Sequence, residues 1–166
     1  MRSFLPAVAE QLFRDIQKTY QETSQNAVGL QIQTALDYSA AFTKDLDVCP
    51  QKLNCRTEIE WLKFVFGSCA LQALDLVDQH SVTCLTSPSG RKAFQVTGGS
   101  GRLYTCFLSC HYCPCPAFAY SVLRRNEGLV CKHILAVYLS RAMAATQQEI
   151  VSDQQMSLLL SGTMDP

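Results

Sequence analysis

The period of the hydrophobic positions changes along the chain, and each change marks an element. Over residues 4–22, Leu5, Val8, Leu12, Ile16 and Tyr20 recur at spacings of three and four, with Phe13 beside them. That predicts an amphipathic helix with its stripe on the core. Pro6 is tolerated only near a first turn and so places the helix start. The pattern lapses over residues 23–58, where Ser, Thr, Gln and Asn are frequent and Gly29 and Pro50 interrupt. Apart from a short helix at Leu30–Leu36, this stretch reads as a linker or insertion. Helical spacing returns over residues 57–79 with Ile59, Leu62, Phe66, Cys69, Ala73 and Val77. Gly67-Ser68 divides it into two helices, with Ser68 in position to cap the second.

Alternation then replaces the helical period. Ser81–Thr86, Ala93–Thr97 and Leu103–Leu108 are short β-rich runs joined by Ser87-Pro-Ser-Gly90 and Gly98-Gly-Ser-Gly101. Three strands with two tight connections predict an antiparallel meander. Beyond it, Pro116 opens a helix over Ala117–Arg125, ended by Asn126-Glu-Gly128. A further helix runs from about Cys131 to Ala145, and a short one covers residues 152–160 in a polar tail, 147–166. The fold class is α+β, with the folded unit over residues 59–146.

Composition changes the picture in two places. The 48% hydrophobic content over 166 residues provides a core that does not depend on a metal. The net charge is zero, but its distribution is uneven: residues 1–78 carry −3, residues 79–146 carry +6 and residues 147–166 carry −3. The basic segment suits an anionic partner, or simply a solvated mixed-charge surface. Nine cysteines are an odd number in a chain with no signal-peptide pattern, which argues against a disulfide scaffold and for a reducing compartment. No run approaches the roughly 20 apolar residues of a membrane span.

The chemistry lies in residues 106–133, which read Cys106-Phe-Leu-Ser-Cys110-His111-Tyr-Cys113-Pro-Cys115, then fifteen residues, then Cys131-Lys-His133. Cys113-x-Cys115 and Cys131-x-His133 supply three thiolates and an imidazole in two close pairs, the donor set of a closed, tetrahedral structural zinc site. Cys131 at a helix N-terminus favours thiolate, and His133 in the first turn can reach the same ion. A quartet with Cys110 in place of Cys115 stays open, because Cys110-x-x-Cys113 also has zinc spacing. Cys115 is preferred because it makes a second x-spaced pair. Cys106 then reads as a strand residue, Cys110 as buried or supporting, and His111 as surface or supporting. Four protein ligands leave no position for a catalytic water, and no His-x-Glu of a zinc deaminase is present. Cys49 and Cys55 read as free loop thiols, and Cys69 as a small core residue.

This pattern resembles the SWIM zinc finger family, in which CxC is followed by CxH. Ala136, three residues after His133, matches an alanine that extends the pattern in one branch. Phe64-Val-Phe-Gly-Ser68, Ala73-Leu-Asp-Leu-Val77, Ser109-Cys-His-Tyr112 and Cys131-Lys-His133 are similar to that branch, which supplies the SWIM-containing subunit of the Shu recombination complex. The likeness covers residues 61–160 closely and 4–22 more loosely, while residues 23–59 depart from it. The resemblance implies a non-enzymatic, nuclear role in homologous recombination repair. The expected partner is a small RecA-like recombinase paralogue, and the complex promotes recombinase filaments on single-stranded DNA. Zinc would sit on Cys113, Cys115, Cys131 and His133, and the +6 balance of residues 79–146 is compatible with added DNA contact by Arg124, Arg125 and Lys132, with DNA bound mainly by the complex. Few aromatic residues alternate with these basic ones, so no base-stacking platform is evident in the sequence.

Overall fold

The structure, a computed structural model, describes residues 5–34 and 56–162. Cys49 and Cys55 therefore lie outside the described residues. The fold is α+β, with the elements α1 (Ala7–Thr34), α2 (Arg56–Phe66), α3 (Cys69–Asp78), β1 (Val82–Thr86), β2 (Lys92–Thr97) and β3 (Leu103–Cys106). A π-helical segment (Phe118–Arg124), α4 (Lys132–Ala142), β4 (Gln147–Ile150) and α5 (Asp153–Ser161) follow.

α1 starts where Pro6 places it, with the Pro6 carbonyl accepting from Ala9 and Glu10 N–H. Its buried stripe is Leu5, Ala9, Leu12 and Ile16. Val8, expected on that stripe, is exposed, and Ala9 takes the core position instead. The helix also runs on past residue 22 to Thr34, where a linker was expected. The apolar period ends at Tyr20, but the Gln, Glu and Ala that follow are acceptable helix formers.

Gly67 separates α2 from α3 by adopting φ +64, and its N–H closes on Lys63 O at 2.8 Å. Ser68 does not cap α3 with its side chain: it already has helical φ −65 and ψ −22. The break is thus a left-handed glycine rather than a serine cap.

The sheet has strand order β3-β2-β1-β4. The meander is the one expected: Cys84 faces Phe94 across β1–β2, and Phe94 faces Cys106 across β2–β3. The fourth strand was not expected. β4 pairs parallel to β1, from Thr83↔Gln147 to Thr86↔Ile150. All four of its side chains are exposed, so it carries no alternation for a sequence pattern to detect and is held at the edge through its backbone.

Helix α4 organises the rest. His133 to Val137, Leu139, Ser140 and Ala142 are all buried, leaving almost no solvated face. One side packs on α1 and α3, the other on β1, β2 and β3. Ala70 and Ala73 of α3 and Ala136 of α4 are fully buried, small residues that suit close approach of the two helices. The second face of the sheet is closed by α5, whose Met156 packs with Leu85 and Ala93. The α5 start is a capping box between Ser152 and Gln155. No described helix is long and apolar enough to cross a membrane.

Candidate metal centre

The knuckle is made by a tight reversal after β3. Phe107 and Tyr112 exchange both backbone hydrogen bonds, at 2.9 and 3.0 Å, closing a turn in which His111 takes φ +52. The chain then returns through Cys113-Pro114-Cys115. The Cys115 carbonyl accepts from Phe118 N–H at 3.1 Å, so the next helical segment starts directly from the second cysteine of the pair. That segment is π-helical, not the α-helix expected, with Arg125 N–H reaching Tyr120 O at 3.0 Å. The wider turn is a rare geometry with no hydrophobic period of its own. Cys131, in extended backbone, is the N-cap residue of α4, and its carbonyl accepts from Leu135 N–H at 3.0 Å. His133 follows inside the first turn.

These two approaches bring Cys113, Cys115, Cys131 and His133 together, with one potential ligand atom from each, all within 4.8 Å of one another. All four residues are buried. Cys113 Sγ lies 3.7 Å from His133 Nδ1, so Nδ1 is the nitrogen turned towards the thiols. His133 Nε2, on the far side of the ring, is buried without a hydrogen-bond partner among the described residues. The Tyr104 ring stacks on the imidazole with centroids 4.2 Å apart.

The sulfurs compete for protons. Cys115 is pushed well below its usual range because the Cys113 and Cys131 thiols donate to it, and Phe118 N–H adds a contact at 3.3 Å. Cys113 is pushed up, first by Cys106 and then by Cys115. Cys131 is also pushed up, first by Cys113 and then by Cys115. Without a cation among them, these neighbours favour thiolate at Cys115 and oppose it at Cys131, against the pull expected there from the helix N-terminus. Three clustered sulfurs beside one imidazole in a buried pocket form a donor set suited to a borderline-soft divalent cation.

The alternative quartet is not assembled. Cys110, expected to be buried or supporting, is exposed, and its thiol donates to Phe107 O at 3.8 Å. Cys106 ends β3, fully buried, against Cys113. His111 Nε2 sits 3.3 Å from Leu129 O, tying the knuckle turn to the loop before Cys131. Cys69, half-buried, donates to Phe66 O at 3.1 Å.

Two features escaped the sequence reading. Tyr104 covers the imidazole, although its position in β3 signals only a strand. Arg125 lies over the exposed Tyr120 ring, 4.5 Å from its centroid. An aromatic and a guanidinium five residues apart meet because the segment between them is π-helical, so an aromatic–basic surface exists where alternation in the sequence showed none.

Residues 104–142 match the SWIM zinc finger family. Zinc finger SWIM domain-containing protein 7 of Danio rerio is 59% identical over 161 residues, 97% of this chain and 95% of that protein. The chain belongs to this family. The matched span is long enough to include residues 23–58. The Mus musculus protein of the same name is 51% identical over 129 residues, 78% of this chain and 82% of its own length. The Homo sapiens protein is 60% identical over 99 residues, 60% of this chain and 71% of its own length. No solved structure matches the chain. The family's zinc finger name agrees with the chemistry of the clustered donors, and its SWIM segment begins at the tyrosine that stacks on His133.

Proposed function

We propose that Cys113, Cys115, Cys131 and His133 bind one zinc ion in a closed, structural site, and that the chain acts as a non-enzymatic adaptor in homologous recombination repair. The observation that carries the metal reading is the convergence of the four buried donors within 4.8 Å. Zinc would supply a cross-link between the β3 knuckle and the start of α4. The chain's own residues do the rest: Cys113 and Cys115 fix the knuckle, Cys131 and His133 fix the first turn of α4. With four protein ligands the coordination sphere has no place for a reacting water, which supports a structural rather than catalytic role.

The adaptor reading rests on family membership and on the distribution of charge. The expected partner is a small RecA-like recombinase paralogue in the nucleus, and the pair would stabilise recombinase filaments on single-stranded DNA. Arg124 and Arg125 are exposed and Lys132 half-buried beside the metal site, so they are the residues to which direct DNA contact is assigned. The Arg125–Tyr120 stack supports a second reading, a free-standing nucleic-acid-binding zinc finger, because exposed aromatics with cationic neighbours can stack on bases. Co-expression with a RecA-like paralogue tests the adaptor role. Wild type should co-purify with the paralogue and Cys113→Ser should not; equal recovery of both would break the link between the zinc site and the partner surface.

A further inference from the structure

The metal reading leaves one ring nitrogen unexplained. Nδ1 of His133 faces the thiols, so Nε2 must carry the proton when Nδ1 is a ligand, yet this buried N–H has no hydrogen-bond partner among the described residues. Metal-binding histidines are usually oriented by a hydrogen bond from the other nitrogen. Here something else must set the ring plane.

Two residues outside the CxC and CxH pairs surround that nitrogen. The Tyr104 ring lies on the imidazole at 4.2 Å with 23° between planes. Gly98 sits beside both rings, at the start of the β2–β3 turn, with its N–H on Arg102 O at 2.7 Å and its carbonyl accepting from Gly101 N–H at 2.8 Å. A Cβ added at Gly98 would stand 2.9 Å from Tyr104 Cε2 and 3.6 Å from His133 Nε2. The first distance is one that side chains do not tolerate, so the Tyr104 ring, stacked on His133, must shift. Arg102 rests over Tyr104 at 5.6 Å and covers the ring further. Gly98 is not in the left-handed region, so its need for hydrogen in place of a side chain is a matter of space and not of backbone angle.

We propose that Gly98 and Tyr104 are positioning residues for the metal ligand His133, a stacked clamp that replaces the usual hydrogen bond in holding the imidazole towards the three sulfurs. The inference rests on the zinc reading above. Its consequence is that a methyl group on a turn glycine, fifteen residues from the nearest ligand in sequence, loosens the metal. Gly98→Ala displaces the Tyr104 edge and so disturbs its stack on His133, and Tyr104→Leu removes the stacking surface. Tyr104→Phe keeps the ring and should behave as wild type.

The test uses the full chain loaded with zinc, with release followed by a chromophoric chelator, and the same variants loaded with cobalt for absorption spectra. Wild type should hold one metal ion per chain. Gly98→Ala and Tyr104→Leu should release zinc about tenfold to a hundredfold faster, the usual effect of losing an outer-shell partner. Their cobalt d–d bands should shift while the three-thiolate charge-transfer intensity stays. The double variant should release no faster than Tyr104→Leu alone, because the alanine acts only through the ring. Leu12→Ala, a core change in α1, controls for general loss of stability and should leave both readouts unchanged. Wild-type release rates and bands in Gly98→Ala and Tyr104→Leu, or the same changes in Leu12→Ala, would overturn the clamp while leaving the zinc reading in place. A wild type that holds no metal would overturn both.

Discussion

Cys113 Sγ lies 3.7 Å from His133 Nδ1, across twenty residues of chain and between two separate elements. With metal–sulfur and metal–nitrogen bonds of about 2.3 and 2.0 Å, a tetrahedral site places such a pair about 3.5 Å apart. The fold thus holds a knuckle thiol and a helical imidazole close to the edge length of a zinc tetrahedron.

Chelation should destabilise the chain without unfolding it. The core cluster runs through α1, α3, the sheet and α4, so most apolar burial survives loss of the cross-link. Zinc at about a thousand times its dissociation constant contributes about 4 kcal/mol by linkage. That corresponds to a fall in Tm of about 10 °C on chelation. Thermal scans with and without chelator should show this drop, with the circular dichroism at 20 °C largely retained.

Thiol reactivity should follow exposure and metal. Among the described cysteines Cys110 is the exposed one. Cys69 is held above its usual range, by burial first. Peptide-resolved alkylation should therefore find Cys110 modified quickly and Cys69 slowly. Cys113, Cys115 and Cys131 should stay protected until a chelator is added. Rapid labelling of Cys113 in the zinc-loaded chain would contradict its assignment as a ligand.

Asp153 gives the docking of α5 a pH dependence. Its carboxylate accepts from Ser89 N–H at 3.2 Å and lies 3.6 Å from Arg91. The Ser89 hydroxyl first, then Ser87, holds the group below its usual value. A depressed folded value means that the contribution is fully present above the unfolded value, about 3.9, and is lost as pH falls through the lowered folded value. Amide exchange in α5 should be faster in Asp153→Asn than in wild type at pH 6. The gap should close only in strongly acidic solution.

If Arg124, Arg125 and Lys132 contact phosphates, each alanine variant should weaken single-stranded DNA binding by the paralogue complex at every sequence tested. Each should also reduce the slope of log affinity against log salt by up to about 1. Titrations at several salt concentrations read both. Unchanged slopes in all three variants would place the DNA elsewhere.

Much of this architecture was legible because it rests on strong periodicity. Leu62, Phe66, Ala73 and Val77 gave α2 and α3, and Val82, Cys84, Phe94 and Val96 gave the first two strands, since each set alternates or recurs on a buried face. Paired spacing pointed to a zinc site of some kind and left a set with Cys110 open; the fold brings Cys113, Cys115, Cys131 and His133 together and not the set with Cys110. What escaped has no period to read. β4 is held through backbone pairing with exposed side chains, and the π-helical segment differs from an α-helix only in its hydrogen-bond step. The stacking of Tyr104 on His133 joins a strand to a helix, and no local pattern encodes that meeting.

The central claim is that one zinc ion is held by three sulfurs and one imidazole. X-ray absorption at the zinc edge of the purified full chain tests it most directly. One zinc per chain, with three sulfur neighbours at about 2.3 Å and one nitrogen at about 2.0 Å, is the expected result. A shell with oxygen in place of one of these donors, or the same three-sulfur shell persisting in Cys115→Ser, would contradict it.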